Sequence, residues 1–501
     1  MPFLILIAFF YLVLPFTGHA REFGKVMLLL SFFAAVYSWR FKLHFSFGKY
    51  FLPSLVIIII LHDILLFWNF LNSFILVQDD FVGLSEIFSR TLNGDFFITS
   101  FYTNTREMNY LAHHFSPSTI IFAPFMLLSD YRWGYAYALI LFHAAAVTVF
   151  YFLANDILKN KTQALFLTIL FIANPYAYRI FTSYHFEAVF VFFALLLIFF
   201  LRKGQLLNYA ITFAFLLFLK EDIPAYMFLF SFYVLFFHNK AAGLWGMAAA
   251  AVIFLLIPFI QKKLNYDILI NWQILYISWG NTYPEIFFNM LTSPFKVIER
   301  IFLSLKVLFY LVLGTGTIWL YSALAPMVIV PIILLHILSD RPWFNDFNHY
   351  YSYTCMPFIL YALVLSWKKL SDRFSHNRLS SLFFLLVCLM FYKNSTEHDF
   401  PLQHRKTNPD RVYNLSNAIR LIPKNSRLSV QFDLGAFTRR DTRLYPLRRN
   451  YPLMEYILLD EKGFSPYYPV TEIKNLKNSL LKQGQYSALY DNAGVFLLKK
   501  L

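Results

Sequence analysis

Charge is scarce in this chain. Only 14% of its 501 residues are Asp, Glu, Lys or Arg, where a soluble domain carries about 25%, and that shortage excludes an ordinary water-soluble globule. Cysteine is nearly absent too. Cys355 and Cys388 both fall inside apolar runs, which excludes a disulfide-stapled framework. Acid is the scarcer of the two charges, 28 residues against 43 basic ones, for a net charge of +15. Such an excess can mark a nucleic-acid binder, but many of these cations are dispersed among short loops and form no single patch, so nucleic acid is excluded as a partner. The chain also lacks any sustained internal repeat, low-complexity tract or standard zinc-ligand spacing.

Apolar residues fill the space that charge leaves. They make up 58% of the chain, and the mean hydropathy is +0.54. Runs at 51–66, 189–201, 211–219, 248–260 and 318–338 read as membrane spans, some a little short of the roughly 20 residues that a bilayer needs. The expected fold is therefore an α-helical polytopic membrane protein. It has about 13 transmembrane helices, at 2–17, 24–39, 51–68, 134–154, 162–175, 186–201, 206–219, 224–238, 243–260, 298–315, 318–338, 353–367 and 380–393. Residues 117–128 are apolar but short, as a re-entrant or interfacial piece would be. Gly18-His19-Ala20 has the small residues of a cleavage site. No Lys or Arg precedes the first apolar run, however, so an uncleaved helix is expected.

Alternate loops differ in charge. Those holding Arg40, Lys42 and Lys49, Lys159 and Lys161, Arg202 and Lys203, Lys240, and Lys368, Lys369, Arg373 and Arg378 carry only Asp156 and Asp372 against them. This bias places them in the cytoplasm together with the N-terminus. The long first outer loop, 69–133, then faces outward, as do 176–185, 220–223, 261–297, 339–352 and the tail. A transmembrane domain at 1–393 and an extracytoplasmic domain at 394–501 are expected. Within the tail, helices at 409–422 and 470–482 alternate with strands at 427–432 and 454–460, and a hairpin follows at 486–490 and 495–499. That pattern predicts a small C-terminal α/β domain on the outer face. Its cluster of Arg439, Arg440, Arg443, Arg448 and Arg449 suits either anionic lipid headgroups or a substrate-binding edge.

The polar chemistry gathers in these outer loops. The first supplies Asp79, Asp80, Glu86, Asp95, Arg106, Glu107, His113 and His114. The next supplies Arg179, His185 and Glu187, a tight turn supplies Lys220, Glu221 and Asp222, and the late loop supplies Arg341, Trp343, Asp346, His349, Tyr350 and Tyr351. A carboxylate at the membrane surface can act as general base on a hydroxyl. Lys220, Arg179 and Arg341 can hold a phosphate and stabilise its departure. The late-loop aromatics can stack on a sugar or flank a lipid chain. Together these suit glycosyl transfer from a lipid-linked sugar phosphate. His113 and His114 could ligate a metal with Asp79 or Asp80, but adjacent histidines do not share a helix face, so a divalent metal is not favoured and no other cofactor is expected.

The pattern of Asp80 with Gly94, His114-Phe115-Ser116-Pro117, His185-Phe186-Glu187, Lys220-Glu221-Asp222 and His349-Tyr350 resembles a bacterial family of multi-pass membrane proteins of unknown function. That family is related to the GT-C glycosyltransferases, the superfamily of the protein O-mannosyltransferases and the aminoarabinose transferase of lipid A. The tail's helix, Ile422-Pro423 and the segment 456–460 are similar to its outer domain. The resemblance implies an inverting transferase with a polyprenyl-phosphate-linked sugar donor and a lipid, glycan or protein acceptor in the inner (plasma) membrane. Its catalytic base would be Asp80 or Asp79, oriented by the other aspartate or by Glu107. Lys220 with Arg179 or Arg341 would bind the donor phosphate, and His114 and His349 would shape its pocket. The family's Asp is followed by Leu-Gly, whereas Phe81-Val82-Gly83 follows here; the one-residue shift leaves both aspartates open as the base. Monophosphate donors in this superfamily generally need no metal. A transporter or flippase for a lipid-linked anion and a non-catalytic envelope assembly protein are the alternative readings.

Overall fold

The computed structural model describes residues 20–41, 48–72, 79–102, 107–264, 275–345, 347, 350–396, 409–448, 452–463 and 469–501. The expected first span at 2–17, together with Arg106, Asp346, His349, Arg449 and the side chains of Asp79 and Trp343, lies outside what is described.

The chain is mostly helical. Phe51–Asn72, Gly134–Leu158 and Lys240–Lys263 are each long and apolar enough to cross a bilayer alone. Lys161–Ala173 and Pro175–Thr182 pass the same test together, bent by 61°. The bend has a local cause. Pro175 has no N–H to continue the helical ladder, and Asn174 Oδ1 caps the new helix by accepting from the N–H groups of Tyr176 and Ala177. The chain expected to leave the membrane at 176 thus continues as helix to Thr182.

Other expected spans are shorter apolar helices, among them Ala188–Arg202, Leu206–Leu217 and Ile223–Phe237. Two are interrupted. The expected 298–315 span is split at Ser304 between Pro294–Leu303 and Leu305–Gly314. The first of these helices is amphipathic, with Lys296, Glu299 and Arg300 among its apolar residues. The expected 318–338 span contains a 3-10 turn at Ile318–Tyr321, a π turn at Ala325–Ile329 and then Val330–Ile337. Pro326 and Pro331 lack the N–H groups a continuous α ladder would use. Pro117–Leu128 is a 3-10 run with proline at its start and at Pro124.

By their contacts the residues form two units. The first comprises Met1–His62 and Leu141–Gln403. In it, Ala20–Arg40 packs along His376–Thr396, with Ser381 Oγ donating to the Ala35 carbonyl at 2.7 Å. Ile223–Phe237 and Lys240–Lys263 form an antiparallel pair joined at Asn239, whose side chain caps the second helix.

The second unit joins Asp63–Ile140 to His404–Leu501. Its first segment holds the helix Asp79–Leu92 and a short hairpin of β1 (Ile98–Thr99) and β2 (Met108–Asn109). Its second segment is built on a mixed five-stranded sheet of β3 (Arg427–Val430), β4 (Arg443–Pro446), β5 (Tyr456–Asp460), β6 (Tyr486–Asn492) and β7 (Val495–Lys500), in the order β4-β3-β5-β7-β6. β3 pairs in parallel with β4 and β5, whereas β7 is antiparallel to β5 and β6. The helices Pro409–Arg420 and Val470–Lys482 fall where the tail's pattern placed them. Ile473 and Leu480 bury the apolar side of the latter against Ile457, Leu459, Phe496 and Leu498. Strand β4 has no counterpart in that pattern. It is a short edge strand ending in Pro446, which a sheet tolerates only at its margin.

Candidate functional site

Two clusters of buried polar groups stand out, one in each unit. In the first unit the turn Lys220-Glu221-Asp222 links the helices Leu206–Leu217 and Ile223–Phe237, and all three residues are buried. Lys220 Nζ donates to Glu187 Oε1 at 2.6 Å. The ammonium also lies 5.6 Å from the Tyr353 ring centroid and 6.0 Å from that of Phe186. Burial opposes its charge, but Glu187, Asp222 and Glu221 outweigh burial and hold the Lys220 pKa above the ordinary lysine value. Asp222 Oδ2 accepts from Tyr353 OH at 2.7 Å and from Tyr226 OH at 3.4 Å. Burial, with repulsion from Glu221, raises its pKa despite Lys220.

The remaining carboxylate oxygens are the chemically telling ones. Glu187 Oε2 and Asp222 Oδ1 are buried and accept no hydrogen bond among the described residues, where an unmet buried acceptor costs about 1–3 kcal/mol. His185 Nδ1 is 4.0 Å from Glu187 Oε2, and the His185 ring stacks on Tyr350 with centroids 3.7 Å apart and planes 18° apart. Two acceptors, one buried cation and a stacked aromatic pair can hold a hydroxylated, anionic headgroup.

Of the other residues assigned to the donor, Arg179 is buried in the last turn of Pro175–Thr182. Arg341 is half-buried at the start of a short helix, Pro342–Asn345, and its N–H donates to Ser339 Oγ. The adjacent Asp340 is engaged by Arg300 at 2.7 Å and by Ser278. His349 lies outside the described residues.

In the second unit, Asp80 opens the helix Asp79–Leu92 and its Oδ1 accepts from Tyr102 OH at 3.0 Å. Tyr102 stacks on His113, centroids 5.2 Å apart, and His113 meets His114 edge-on at 4.4 Å. One aromatic group thus connects the aspartate to both histidines. Gly83 makes the approach possible, because a Cβ there would sit 2.9 Å from the Tyr102 ring. Burial, then the Asp80 charge, pushes the Tyr102 phenol pKa well above its ordinary value, so it remains a donor. Among the described residues no three His, Cys, Asp or Glu side chains gather as a metal-ligand set.

Glu107, expected to orient Asp80, is engaged by other groups. Its Oε1 accepts from Arg90 at 2.8 Å and from Tyr445 OH at 2.7 Å. Glu86, one of the loop carboxylates, is fully buried, 2.7 Å from the equally buried Arg132, and its other oxygen accepts from the Leu444 N–H at 3.0 Å. Arg132 in turn donates to Thr438, Ser89 and the Thr442 carbonyl. The tail arginines are largely engaged as well. Arg439 pairs with Asp441, Arg440 donates to the Met126 carbonyl, Arg443 pairs with Asp95, and Arg448 donates to the Phe101 carbonyl. Sequence reasoning missed Tyr102, Tyr226, Tyr353 and Arg132. Arg132, a lone cation flanked by Tyr131 and Trp133 just ahead of an apolar helix, was the one with a readable signal.

Apolar spanning helices and an attached mixed sheet define a multi-pass membrane protein. The family model for "Predicted membrane protein (DUF2079)" matches residues 84–497, and the chain belongs to that family. No curated protein matches it. Among solved structures, the chain is similar to that of ArnT from Cupriavidus metallidurans bound to undecaprenyl phosphate. The TM-score is 0.49 at 12% identity, over 91% of this chain and 99% of that one. A likeness at that level assigns no chemistry here.

Proposed function

We propose that this protein is an inverting membrane glycosyltransferase of GT-C type. It moves a sugar from a polyprenyl-phosphate donor to an acceptor on the outer face of the plasma membrane. The observation that carries the reading is the buried group of Lys220, Glu187 and Asp222, with two carboxylate oxygens unmet among the described residues. Charges in an apolar helical setting are costly unless they are used. A sugar's hydroxyls supply the donors those oxygens lack, and Lys220 supplies a cation for a phosphate. The His185–Tyr350 stack adds aromatic surface beside this group. Arg179, Glu221 and Arg341 are assigned to the same donor, and His114 and His349 to shaping its pocket.

Asp80, with Asp79 as the alternative, is assigned as the general base. Its carboxylate takes the proton of the acceptor hydroxyl as that oxygen bonds to the anomeric carbon. The bond from that carbon to the phosphate oxygen breaks on the opposite face, releasing polyprenyl phosphate. The hydrogen bond from Tyr102 to Oδ1 helps to set the direction of that carboxylate. In this reading the N-terminus is cytoplasmic, residues 394–501 are extracytoplasmic, and no metal takes part.

Mass spectrometry of envelope lipids and glycans from a deletion strain tests the proposal. A saccharide should disappear, return with the wild-type gene, and fail to return with Asp80→Asn or Lys220→Gln when these accumulate normally in the membrane. An unchanged glycan profile would overturn the transferase reading, and full rescue by either variant would remove that residue from the mechanism.

A further inference from the structure

The second unit carries two adjoining clefts of about 410 Å³ and 380 Å³. They share Asn93, Arg440 and Asp441, and both are lined by the loop segment and the tail together. Their walls hold Arg90, Lys424, Arg427, Arg439, Arg440 and Arg443 against only Asp95, Asp130 and Asp441. Internal pairing uses up part of this charge. Arg90 is held by Glu107 and Asp95, Arg439 by Asp441, and Arg443 by the same Asp95 at 3.1 Å. Lys424 and Arg427 are exposed, and neither side chain has a partner among the described residues.

The strand register concentrates this charge against its own repulsion. Arg427 and Arg443 stand opposite each other on the parallel strands β3 and β4, an arrangement in which like charges destabilise a sheet. Asp95 offsets part of that charge at Arg443, and Arg427 adds a further cation to the same wall. Asn93, Asn425 and Thr442 add groups that bond hydroxyls or phosphate oxygens.

We propose that these paired clefts bind a phosphate-bearing headgroup, with Arg427, Lys424 and Arg443 as its cationic contacts. Arginine's planar fork suits two oxygens of one phosphate. The two sources of that chemistry are a phospholipid or lipid-linked acceptor and a free phosphate.

Full-length protein purified in neutral detergent tests this by calorimetry at low salt. The probes are inorganic phosphate and dihexanoyl phosphatidylglycerol, with dihexanoyl phosphatidylcholine as the zwitterionic control. Binding of either anionic probe, weakened roughly tenfold or more in the double variant Lys424→Gln/Arg427→Gln, is expected. Binding of phosphate marks a free-anion site, and binding of the phosphatidylglycerol alone marks a lipid headgroup. Absence of binding by both, equal binding of the phosphatidylcholine, or undiminished binding by the double variant would overturn the proposal. Both substituted side chains are exposed and unpaired, so the variant should melt with the wild type. The readout is binding, and it stands independently of glycosyl transfer.

Discussion

At the scale of single residues, the acidic groups of the segment 79–107 divide by environment. Glu86 is fully buried against Arg132; burial pushes its pKa above the ordinary carboxylate value and Arg132 pulls it back. Removing one member of such a pair strands the other, whereas the intact pair adds little net stability. Glu107 has the opposite balance. Burial opposes its charge, but hydrogen bonds from Arg90 and Tyr445, with the Arg90 and Arg443 charges, outweigh burial and hold its pKa below the ordinary value. A depressed carboxylate pKa contributes stability that is complete above the unfolded value, about 4.3, and is lost as pH falls through the folded one. Wild-type protein should therefore melt higher than Glu107→Gln at neutral pH, and the gap should close as pH falls below about 4. The difference should stay within about 1 kcal/mol, because the Glu107 side chain is 36% exposed. A gap that widened in acid would contradict the assigned sign.

At the scale of elements, the helix Asp79–Leu92 owes its position to small residues as much as to charge. Gly83 admits Tyr102 on one side, and Gly435 in the 3-10 turn Phe432–Phe437 meets Val82 on another. A Cβ at 435 would sit 2.3 Å from Val82 Cγ1. Gly435→Ala should thus destabilise the protein by about 1–3 kcal/mol through overpacking. Val82→Ala in the same chain should recover most of that loss, as read by melting in detergent. Additive losses would show that the turn and helix do not press on each other. Much of this level was legible in the sequence. Helices and strands follow from hydropathy period, proline and glycine, which act over a few residues. The bend at Asn174-Pro175 and the edge strand β4 were not. Both sit where a proline interrupts the pattern, and which way the chain continues depends on what packs beyond it.

At the scale of the whole molecule, the tail completes the segment 79–133. Glu86 accepts from Leu444 across 358 positions of sequence, and Arg132 donates to Thr438 across 306. Ser100 and Trp133 likewise donate to tail carbonyls, those of Leu444 and Ala436. A chain lacking 404–501 would leave a buried ion pair without the groups that satisfy it. Limited proteolysis of membranes carrying that truncation should cut within 79–133 much faster than in the full chain. Equal resistance would mean that the segment folds without the tail.

The sequence alone determined membrane residence, the apolar helical segments, the alternating loop charges and the α/β character of the tail. These rest on hydrophobicity and period, which are local and additive. It also singled out Asp80, Lys220, Glu187 and Asp222, because charge beside an apolar run is conspicuous. Tertiary structure alone decided that Lys220 meets Glu187, that Tyr102 meets Asp80, and that Glu107 belongs to Arg90 and Tyr445. Partner choice depends on which surfaces pack together, and no local pattern carries that information.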